Sequence, residues 1–272
     1  MAAAITQAEF KRLAEHIQAH YGIYLKDEKK SMLVSRLDPL LSQYGLGSFE
    51  EFYRYVLNDK SGEAATRLID RITTNHTYFM REAGHFRFLQ EKALSELVPL
   101  IKNKDLRIWS AGCSSGQEPY TLAMIIDQFF ESDKHGWDTK LLATDLSPAI
   151  LATAIRGEYT SEEISTLPAS WRSLYFKRTA KGLFTVNDAL KKEIIFRKFN
   201  LMDEVFPFKS RFHIIYCRNV MIYFDAETKL RLLKRFHQFL ETGGYLFIGH
   251  SESIDRRLTG FRYVMPAVYR KE

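Results

Sequence analysis

LRIWSAGCSSGQEPYTL, residues 106–122, is the stretch of the chain that predicts its fold. An apolar strand leads into a turn of small residues, Ser110 to Gly116, and a helix begins near Gln117. This order of strand, glycine-containing turn and helix is typical of open α/β sheets that bind nucleotide-like cofactors. Small residues let a ligand approach the backbone, and the free N–H groups of the helix start point back at the turn.

Two acidic residues indicate the kind of cofactor. Glu118 lies in the first turn of the predicted helix, where a dinucleotide pyrophosphate would disfavour a negative charge. A second predicted strand, residues 140–144, ends in Asp145, from which a carboxylate can hold ribose hydroxyls. Together the two acids favour a cofactor with a cationic end and no phosphate, and S-adenosylmethionine (SAM) fits that description.

The same stretch also contains the pattern G-x-S-x-G at Gly112, Ser114 and Gly116, which is typical of the nucleophile elbow of α/β-hydrolases. His250 follows a predicted strand and could supply the histidine of a triad. A hydrolase also needs strands and an oxyanion loop before the elbow, whereas the residues before Leu106 predict helices. We therefore set the hydrolase interpretation aside.

Composition limits the classes of partner. The chain has 272 residues, a net charge of +6 and a pI of about 9.1, which would suit a nucleic-acid-binding protein. The excess lies in residues 76–272, which hold 29 of the 39 basic residues and 23 of the 33 acidic ones. Because no run of basic residues with interleaved aromatics appears, a solvated basic surface or an acidic protein partner explains the charge equally well.

The sequence also predicts a compartment. Cys113 and Cys217 are too few for a disulfide framework or a cysteine metal site. The first residues lack the layout of a signal peptide, and no apolar run reaches the roughly 18 residues of a membrane span. We therefore expect a reduced, cytoplasmic protein.

Residues 1–74 predict a small helical domain. Helices are expected over residues 6–20, 27–37, 38–45, 49–57 and 62–72. Capping boxes are expected at Thr6–Glu9 and Ser48–Glu51, and Asp38-Pro39 predicts a helix break and restart. A polar and aromatic linker with a connecting helix follows over residues 75–94.

Residues 95–272 alternate between strand and helix, which predicts a doubly wound, Rossmann-like α/β domain. Strands are expected near 107, 140–144, 194–199, 212–217, 245–248 and 264–270, the last two pairing as an antiparallel edge. Helices are expected at 117–131, 148–155 and 228–240, the last ended by Gly243-Gly244. Residues 158–193 interrupt the alternation and predict a small antiparallel insertion with a helix at 161–167.

Four motifs give the chain a family resemblance. They are T-x-N-x-T-x-F-x-R-E at 73–82, S-G-Q-E-P-Y at 115–120, C-R-N-V-M-I-Y-F at 217–224 and G-H-S-E at 249–252. With them, nearly the whole chain resembles the CheR-type chemotaxis receptor methyltransferases. These enzymes use SAM, without a metal, to methyl-esterify glutamates on the cytoplasmic bundles of chemoreceptors, leaving S-adenosylhomocysteine (SAH). The resemblance implies an all-α N-terminal domain, a linker and a SAM-dependent methyltransferase domain that bears a small antiparallel β-subdomain.

The resemblance also implies site residues. The positions implied to line the cofactor pocket are Asn75, Thr77, Arg81, Glu118, Asp145, Asn200, Leu201, Arg218 and Asn219. Arg81 and Tyr223 are implied to lie near the transferred methyl group. Lys29, Lys30 and Arg36 match a basic helix that faces the receptor, although residues 37–42 lack the further arginines of the family.

The resemblance further predicts how the receptor is found. The loop from Arg178 to Gly182 is shorter and poorer in glycine than the loop of members that dock on a receptor's C-terminal tail peptide. We therefore expect methylation of the receptor bundle without that tether. No obvious interface helix is left over among the predicted elements, so we expect a monomer.

Two alternatives stay open. A methyltransferase of the same fold could act on another protein or on nucleic acid, but the fourth strand is followed by Arg218-Asn219-Val220-Met221 and not by an N-P-P-[YF] motif. A non-catalytic SAM-sensing module could dispense with Arg81 or Tyr223, and both are present.

Overall fold

The computed structural model describes residues 4–73 and 75–272, so the predicted domain boundary at residue 74 lies outside the described residues. The chain forms two compact units. The first contains Met1–Asn75 and Tyr223–Thr228, and the second contains His76–Ile222 and Lys229–Glu272. The short segment Tyr223–Thr228 joins the helical unit although it is distant in sequence, which the sequence pattern did not indicate.

The first unit is helical, as predicted. Its helices are α1 Gln7–Tyr21, α2 Lys30–Tyr44, α3 Phe49–Asn58 and α4 Glu63–Ile72, with a 3-10 turn at Asp27–Lys29. Each helix buries an apolar stripe that includes Phe10, Leu13, Leu33, Leu37, Phe52 and Leu68. The capping box at the start of α1 is confirmed, because Thr6 and Glu9 each accept the other's backbone N–H, at 3.2 and 2.7 Å.

The predicted helix break at Asp38-Pro39 is wrong, because α2 continues through Pro39. Leu33, Leu37, Leu40 and Leu41 form one buried stripe that crosses the proline. Ending the helix at Leu37 would turn Leu40 and Leu41 away from this core. Their burial therefore outweighs the roughly 3 kcal/mol that an interior proline costs.

The second predicted capping box forms only in part. Ser48 accepts the backbone N–H of Glu51 at 3.2 Å, as a helix N-cap does. The Glu51 carboxylate accepts the N–H of Gly47 at 2.7 Å instead of that of Ser48.

The second unit is built on a seven-stranded sheet. Its strands are β1 Ile108–Ala111, β2 Leu141–Asp145, β6 Ile194–Lys198, β7 Phe212–Cys217, β8 Leu240–Ile248, β9 Phe261–Met265 and β10 Val268–Lys271. They lie in the order β6-β2-β1-β7-β8-β10-β9. β6, β2, β1, β7 and β8 are parallel neighbours, and β10 is antiparallel to β8 and β9. All six residues of β7 are buried, as is typical of parallel strands covered on both faces. The predicted Rossmann-like fold is confirmed.

Helices connect these strands. They are α5 Ala83–Phe88, α6 Leu94–Leu97, α7 Gln117–Phe130, α8 Pro148–Arg156, α9 Ala169–Tyr175, α10 Asp188–Lys191, α11 Ala226–Phe239 and α12 Arg256–Thr259. A π-helical turn, Leu89–Ala93, joins α5 to α6, and 3-10 turns occupy Val98–Leu100, Glu131–Lys134 and Met221–Tyr223. In the part of the chain that the structure describes, every helix is too short or too polar to cross a membrane.

The predicted small antiparallel sheet is present and consists of β3 Glu158–Tyr159, β5 Phe184–Val186 and β4 Phe176–Arg178, in that order. The helix predicted over residues 161–167 is wrong, because this segment forms successive turns. Pro168 disfavours helical geometry in the residue before it, and α9 begins only after the proline. α9 then buries Trp171 and Tyr175, which are four residues apart on one helix face.

Gly243 and Gly244 do not end α11, contrary to the prediction. α11 ends at Phe239, and β8 begins at once. The two glycines lie within β8, where its register with β7 shifts between Phe212 and Ile214. A Cβ on Gly244 would lie 2.7 Å from the His213 carbonyl oxygen, so this irregularity requires a residue without a side chain.

Residues 264–270, which were predicted to form one strand, belong to two strands. β9 and β10 are joined at Pro266-Ala267, and β9 forms the edge of the sheet. β10 pairs with β8 in antiparallel fashion, as predicted for the end of the chain.

Candidate active site

The carboxyl ends of four parallel neighbours, β6, β2, β1 and β7, lie at one edge of the sheet. The predicted cofactor residues follow these ends: Asn200 and Leu201 after β6, Asp145 at the end of β2, and Arg218 and Asn219 after β7. Because ligands of open α/β sheets bind outside this edge, the topology brings these predicted residues to one place.

Asp145 is tied to the turn that follows β1. Its carboxylate accepts the backbone N–H of Ser114 at 2.8 Å and that of Ser147 at 3.1 Å. Ser114 has a φ of +50°, which is uncommon for a residue other than glycine. Gly112 has a φ of +87°, and a Cβ on it would lie 2.4 Å from the Val220 side chain. Packing within the protein therefore requires this glycine, in addition to the ligand approach that the sequence suggested.

The end of β6 is fixed in a similar way. The N–H of Phe199 donates to the Asp145 carbonyl at 3.0 Å, and the Asn200 side chain accepts the N–H of Met202 at 3.0 Å. Leu201 is buried. Asn200 and Leu201 thus lie in a constrained turn beside the end of β2.

Arg218 is buried between two carboxylates. Its Nη1 lies 3.1 Å from Glu118 Oε2, and its Nη2 lies 3.2 Å from Glu82 Oε2. Nη2 also donates to the carbonyl of Arg81, and the guanidinium lies over the Phe86 ring, 5.1 Å from its centroid. Only 2% of the Arg218 side chain is exposed, so the ion pairs form in a poorly solvated setting.

The two carboxylates have opposite pKa shifts. Burial raises the pKa of Glu118, although Arg218 and a 2.7 Å hydrogen bond from the Ser110 hydroxyl favour its charged form. Burial also acts to raise the pKa of Glu82. In that residue the Arg218 charge and hydrogen bonds from His250 N–H and Asn219 outweigh burial, and the pKa is lowered.

The segment before α5 is ordered by one aromatic side chain. Phe79 is fully buried and packs edge-to-face on Tyr159 and Phe176 of the small sheet, at 4.8 and 5.8 Å between ring centroids. Arg81 Nη1 donates to the His76 carbonyl at 2.7 Å, and Thr77 is half-buried. Phe79 thus packs this polar and aromatic linker against the small sheet.

Tyr223 and Asn75 belong to the first unit. The Tyr223 carbonyl accepts the N–H of Tyr24 at 2.8 Å, and an isolated antiparallel bridge joins Ile23 to Phe224. The Tyr223 and Asn75 side chains are half-buried. The backbone that carries Tyr223 is thus paired with the segment that follows α1.

The three predicted receptor-facing residues differ in their surroundings. Lys29 is exposed, and Lys30 Nζ donates to the Gln7 side chain at 3.3 Å. Arg36 Nη1 donates to the Ile72 carbonyl at 2.6 Å, at the C-terminal end of α4. Arg36 therefore stabilises the helical unit itself, which the sequence did not indicate.

Comparison with known proteins decides the family. The model for the CheR methyltransferase SAM-binding domain matches residues 75–269, and the model for the CheR all-alpha domain matches residues 8–73. The chain belongs to the CheR methyltransferase family. It is therefore a SAM-dependent methyltransferase, and the G-x-S-x-G pattern at residues 112–116 is part of a CheR fold and not of a hydrolase.

Relatives cover nearly the whole of this CheR chain. A chemotaxis protein methyltransferase of Borreliella burgdorferi is 43% identical over 98% of this chain and 95% of its own length. A probable chemotaxis protein methyltransferase of Rhizobium etli is 35% identical over 94% of this chain and 99% of its own length. Chemotaxis protein methyltransferase Cher2 of Pseudomonas putida is 36% identical over 91% of this chain and 90% of its own length.

Two carboxylates of this CheR site, Glu82 and Glu252, have no role that the sequence motifs predicted. Glu82 contacts Arg218, and Glu252 accepts three backbone N–H groups, of Asn219 and Ile222 at 3.1 Å and of Gly249 at 2.6 Å. Burial raises the pKa of Glu252, which these hydrogen bonds oppose. Both residues belong to matched motifs, R-E at 81–82 and G-H-S-E at 249–252, and these matches were the available signal.

Glu82, His85 and His250 have the composition of a metal site, with potential ligand atoms within 4.8 Å of one another. Burial lowers the pKa of His85 to about 4, so its imidazole is neutral at physiological pH. The Glu82 carboxylate already contacts the Arg218 guanidinium, and a cation bound there would be repelled by it. We therefore assign no metal ion to this cluster.

Cys113 and Cys217 are free, buried thiols at the ends of neighbouring strands, because Cys113 lies two residues after β1 and Cys217 is the last residue of β7. Burial raises the pKa of both thiols, so neither is a reactive thiolate.

Proposed function

We propose that this CheR-family protein transfers a methyl group from SAM to glutamate side chains on the cytoplasmic helical bundle of chemoreceptors, giving glutamate methyl ester and SAH. The names of its full-length relatives, chemotaxis protein methyltransferases, support this substrate class. The observation that carries the proposal is the ion-paired cluster of Glu118, Arg218 and Glu82, which lies in the unit whose sheet edge carries Asp145 and is where cofactors of this fold bind. We place the enzyme in the cytoplasm, where the bundles lie.

The described residues fit the chemistry of SAM. The Asp145 carboxylate, fixed by two backbone N–H groups, can accept ribose hydroxyls. Glu118 can receive the cationic amino end, and Asn200 with Leu201 can contact the adenine. The remaining residues of the proposed pocket are Asn75, Thr77, Arg81, Arg218 and Asn219. When bound, SAM supplies an electrophilic methyl group on a sulfonium.

Methyl esterification needs no general base, because a glutamate with a reference pKa of about 4.3 is ionised at neutral pH. The protein's contribution is therefore to position the carboxylate and to exclude water. We assign to Arg81 the holding of the incoming carboxylate by a forked pair of hydrogen bonds. We assign to the Tyr223 hydroxyl the orientation of the carboxylate or of the methyl group.

We propose a matching division of the chain. Residues 1–74 recognise the receptor, residues 75–94 contribute to the cofactor site, and residues 95–272 form the methyltransferase domain with the β-subdomain at 158–193. Thr179 N–H donates to the Leu183 carbonyl at 2.8 Å, which closes a tight β4–β5 connection. This compact connection supports methylation that does not depend on a receptor tail peptide.

The test is transfer of labelled methyl from SAM to a purified receptor cytoplasmic fragment, scored as label released by base. Tyr223→Phe and Arg81→Ala should lower the turnover at least tenfold, and Tyr223→Phe should leave SAH affinity near wild type. Tyr263→Phe, at an exposed tyrosine of β9, is the matched control and should retain turnover. Label in nucleic acid or in another protein would favour the alternative substrates, and SAM binding without any transfer would favour a sensing module.

A further inference from the structure

Glu82 joins three separate segments of the second unit. Its Oε2 contacts Arg218 Nε at 3.3 Å and Nη2 at 3.2 Å. Its Oε1 accepts the Asn219 side-chain amide at 3.3 Å and the His250 N–H at 3.2 Å. One carboxylate thus links the segment before α5, the turn after β7 and the end of β8.

The backbone of Glu82 is held in an uncommon conformation. Its φ is +57°, in the left-handed region that is strained for a residue other than glycine. The neighbouring Asn219 has a φ of +59°. The contacts between the two side chains maintain a geometry that neither segment would favour alone.

The charges of the cluster explain why a second acid is useful. The side chains of Glu82 and Glu118 are each 13% exposed, and that of Arg218 is 2% exposed. If Glu118 were the only acid in contact with Arg218, the two residues would form a pair without net charge. The Glu118 carboxylate would then be neutralised by Arg218 and would attract a cationic ligand only weakly. Glu82 shares Arg218, so the cluster retains one net negative charge with which Glu118 can receive a cation.

We propose that Glu82 is a positioning residue for the cofactor, which fixes Arg218 and Asn219 and balances the Arg218 charge so that Glu118 receives the cationic amino end of SAM. This inference rests on the proposed cofactor role of Glu118 and Arg218. Glu82 acts through these residues and contacts no reacting atom.

The primary experiment compares Glu82→Gln with Glu96→Gln. Glu96 also accepts from an arginine, Arg270 at 3.1 Å, and lies in the same unit. Glu82→Gln should weaken SAH binding about 10- to 100-fold by calorimetry, the range of a lost hydrogen bond to a charged group. It should raise the Michaelis constant for SAM more than it lowers turnover. Glu96→Gln should reduce the melting temperature and leave SAH affinity within twofold of wild type.

A pH profile separates positioning from general stabilisation. The charge of Glu82 adds to burial in raising the pKa of Glu118. SAH affinity is expected to fall at acidic pH as Glu118 becomes protonated. In Glu82→Gln this fall should occur at lower pH than in wild type, and in Glu96→Gln it should occur at the wild-type pH. In addition, the effects of Glu82→Gln and Arg218→Lys on affinity should be less than multiplicative when combined, because both act on one contact.

The inference would be overturned by a folded Glu82→Gln protein that binds SAH with wild-type affinity and loses this affinity at the same acidic pH as wild type. It would also be overturned if the effects of Glu82→Gln and Arg218→Lys on SAH affinity multiplied fully in the double variant. Should Glu82→Gln not fold, Glu82→Asp decides. It keeps the charge on a shorter side chain, and wild-type SAH affinity in that variant would contradict positioning. Failure of the wild-type protein to methylate the receptor, with SAH binding intact, would reject the proposed substrate and leave the Glu82 inference standing.

Discussion

Asp145 shows how one residue can satisfy the fold and the proposed chemistry together. Its carboxylate closes the turn after β1 through Ser114 and the turn after β2 through Ser147. The same oxygens lie at the end of a parallel strand, where ribose hydroxyls can reach a carboxylate. A substitution at this position therefore changes both the turn and the proposed ligand contact.

Asp145→Ala should weaken SAH binding by about 1.5–3 kcal/mol, the contribution of hydrogen bonds to a charged acceptor. Asp138→Ala is a matched control, because Asp138 accepts the N–H of Lys140 at 3.1 Å, the same short-range bond, before β2 begins. Calorimetry should give wild-type affinity for Asp138→Ala. Unchanged affinity for Asp145→Ala would remove Asp145 from the proposed pocket.

The buried imidazole of His85 should make the free energy of unfolding depend on pH in the acidic range. Its pKa in the folded protein is lowered to about 4 by burial, below its ordinary value of 6.5. Between these values the unfolded chain binds the proton more tightly, so the free energy of unfolding should fall as pH decreases from 6.5 towards 4. The fall is at most about 1.4 kcal/mol per pH unit.

Urea unfolding of His85→Gln between pH 4.5 and 7 tests this assignment. The variant should lose part of the acid dependence, because glutamine cannot take up the proton. His135→Gln, at an exposed position, should retain the wild-type slope. An identical slope in His85→Gln and wild type would show that other groups cause the acid dependence.

Among the secondary-structure elements, the sequence correctly predicted the strands and helices that follow from a local pattern of apolar and polar residues. Apolar strands that alternate with helices imply a parallel sheet, and a parallel sheet brings the strand ends at Asp145, Asn200 and Arg218 to one edge. The order of elements was therefore sufficient to place these three positions at one edge of the sheet. The family motifs added Asn75, Thr77 and Tyr223, whose proposed roles follow no local pattern.

The elements that sequence missed are those that tertiary packing decides. α2 passes through Pro39 because Leu40 and Leu41 are buried beyond it. The glycines at 243 and 244 serve an irregular strand and not a helix end, because the partner strand β7 approaches there. The pairing of Glu82 with Arg218 spans 136 residues, and no short-range spacing reveals it.

Gly244→Ala should test the β8 irregularity. An added Cβ would lie 2.7 Å from the His213 carbonyl and 2.9 Å from the Glu241 carbonyl, and backbone atoms cannot rotate away. We expect a loss of about 1–3 kcal/mol in unfolding free energy, the usual cost of overpacking. Gly47→Ala is the control, because its Cβ would meet only the Glu51 carboxylate, at 3.6 Å. Equal melting temperatures for the two variants would contradict this account of β8.

On the scale of the whole molecule, the helical unit has two tasks in the proposed function. It carries the exposed Lys29, and it includes the segment Tyr223–Thr228. Gln18 Nε2 donates to Asp225 Oδ2 at 2.6 Å, which adds to the backbone pairing next to Tyr223. The unit that recognises the receptor in our proposal therefore also holds the backbone of the proposed catalytic tyrosine.

If the receptor is recognised without a tail tether, the methylation rate should depend on salt and not on the C-terminal tail. No second docking site would raise the local concentration of substrate, so binding must come from the face that meets the bundle. Contacts between basic residues and an acidic bundle are screened over about 8 Å at physiological salt. Methylation of a receptor fragment without its C-terminal tail should therefore proceed as fast as methylation of the intact receptor, and both rates should fall as salt is raised.

Lys29→Glu gives the sharpest form of this prediction, because Lys29 is exposed whereas Arg36 also supports the end of α4. The charge reversal should raise the Michaelis constant for receptor several-fold, with turnover, SAH affinity and melting temperature near wild type. Lys11→Glu reverses a charge on an exposed lysine of α1 whose partner is Glu15, and it should leave the Michaelis constant unchanged if recognition depends on Lys29 itself and not on net charge. If both charge reversals raised the Michaelis constant for receptor equally, the receptor would be attracted by the net charge of the protein and not by Lys29 itself. Loss of methylation on deletion of the tail, or micromolar binding of the isolated tail peptide, would show that a tether is used after all.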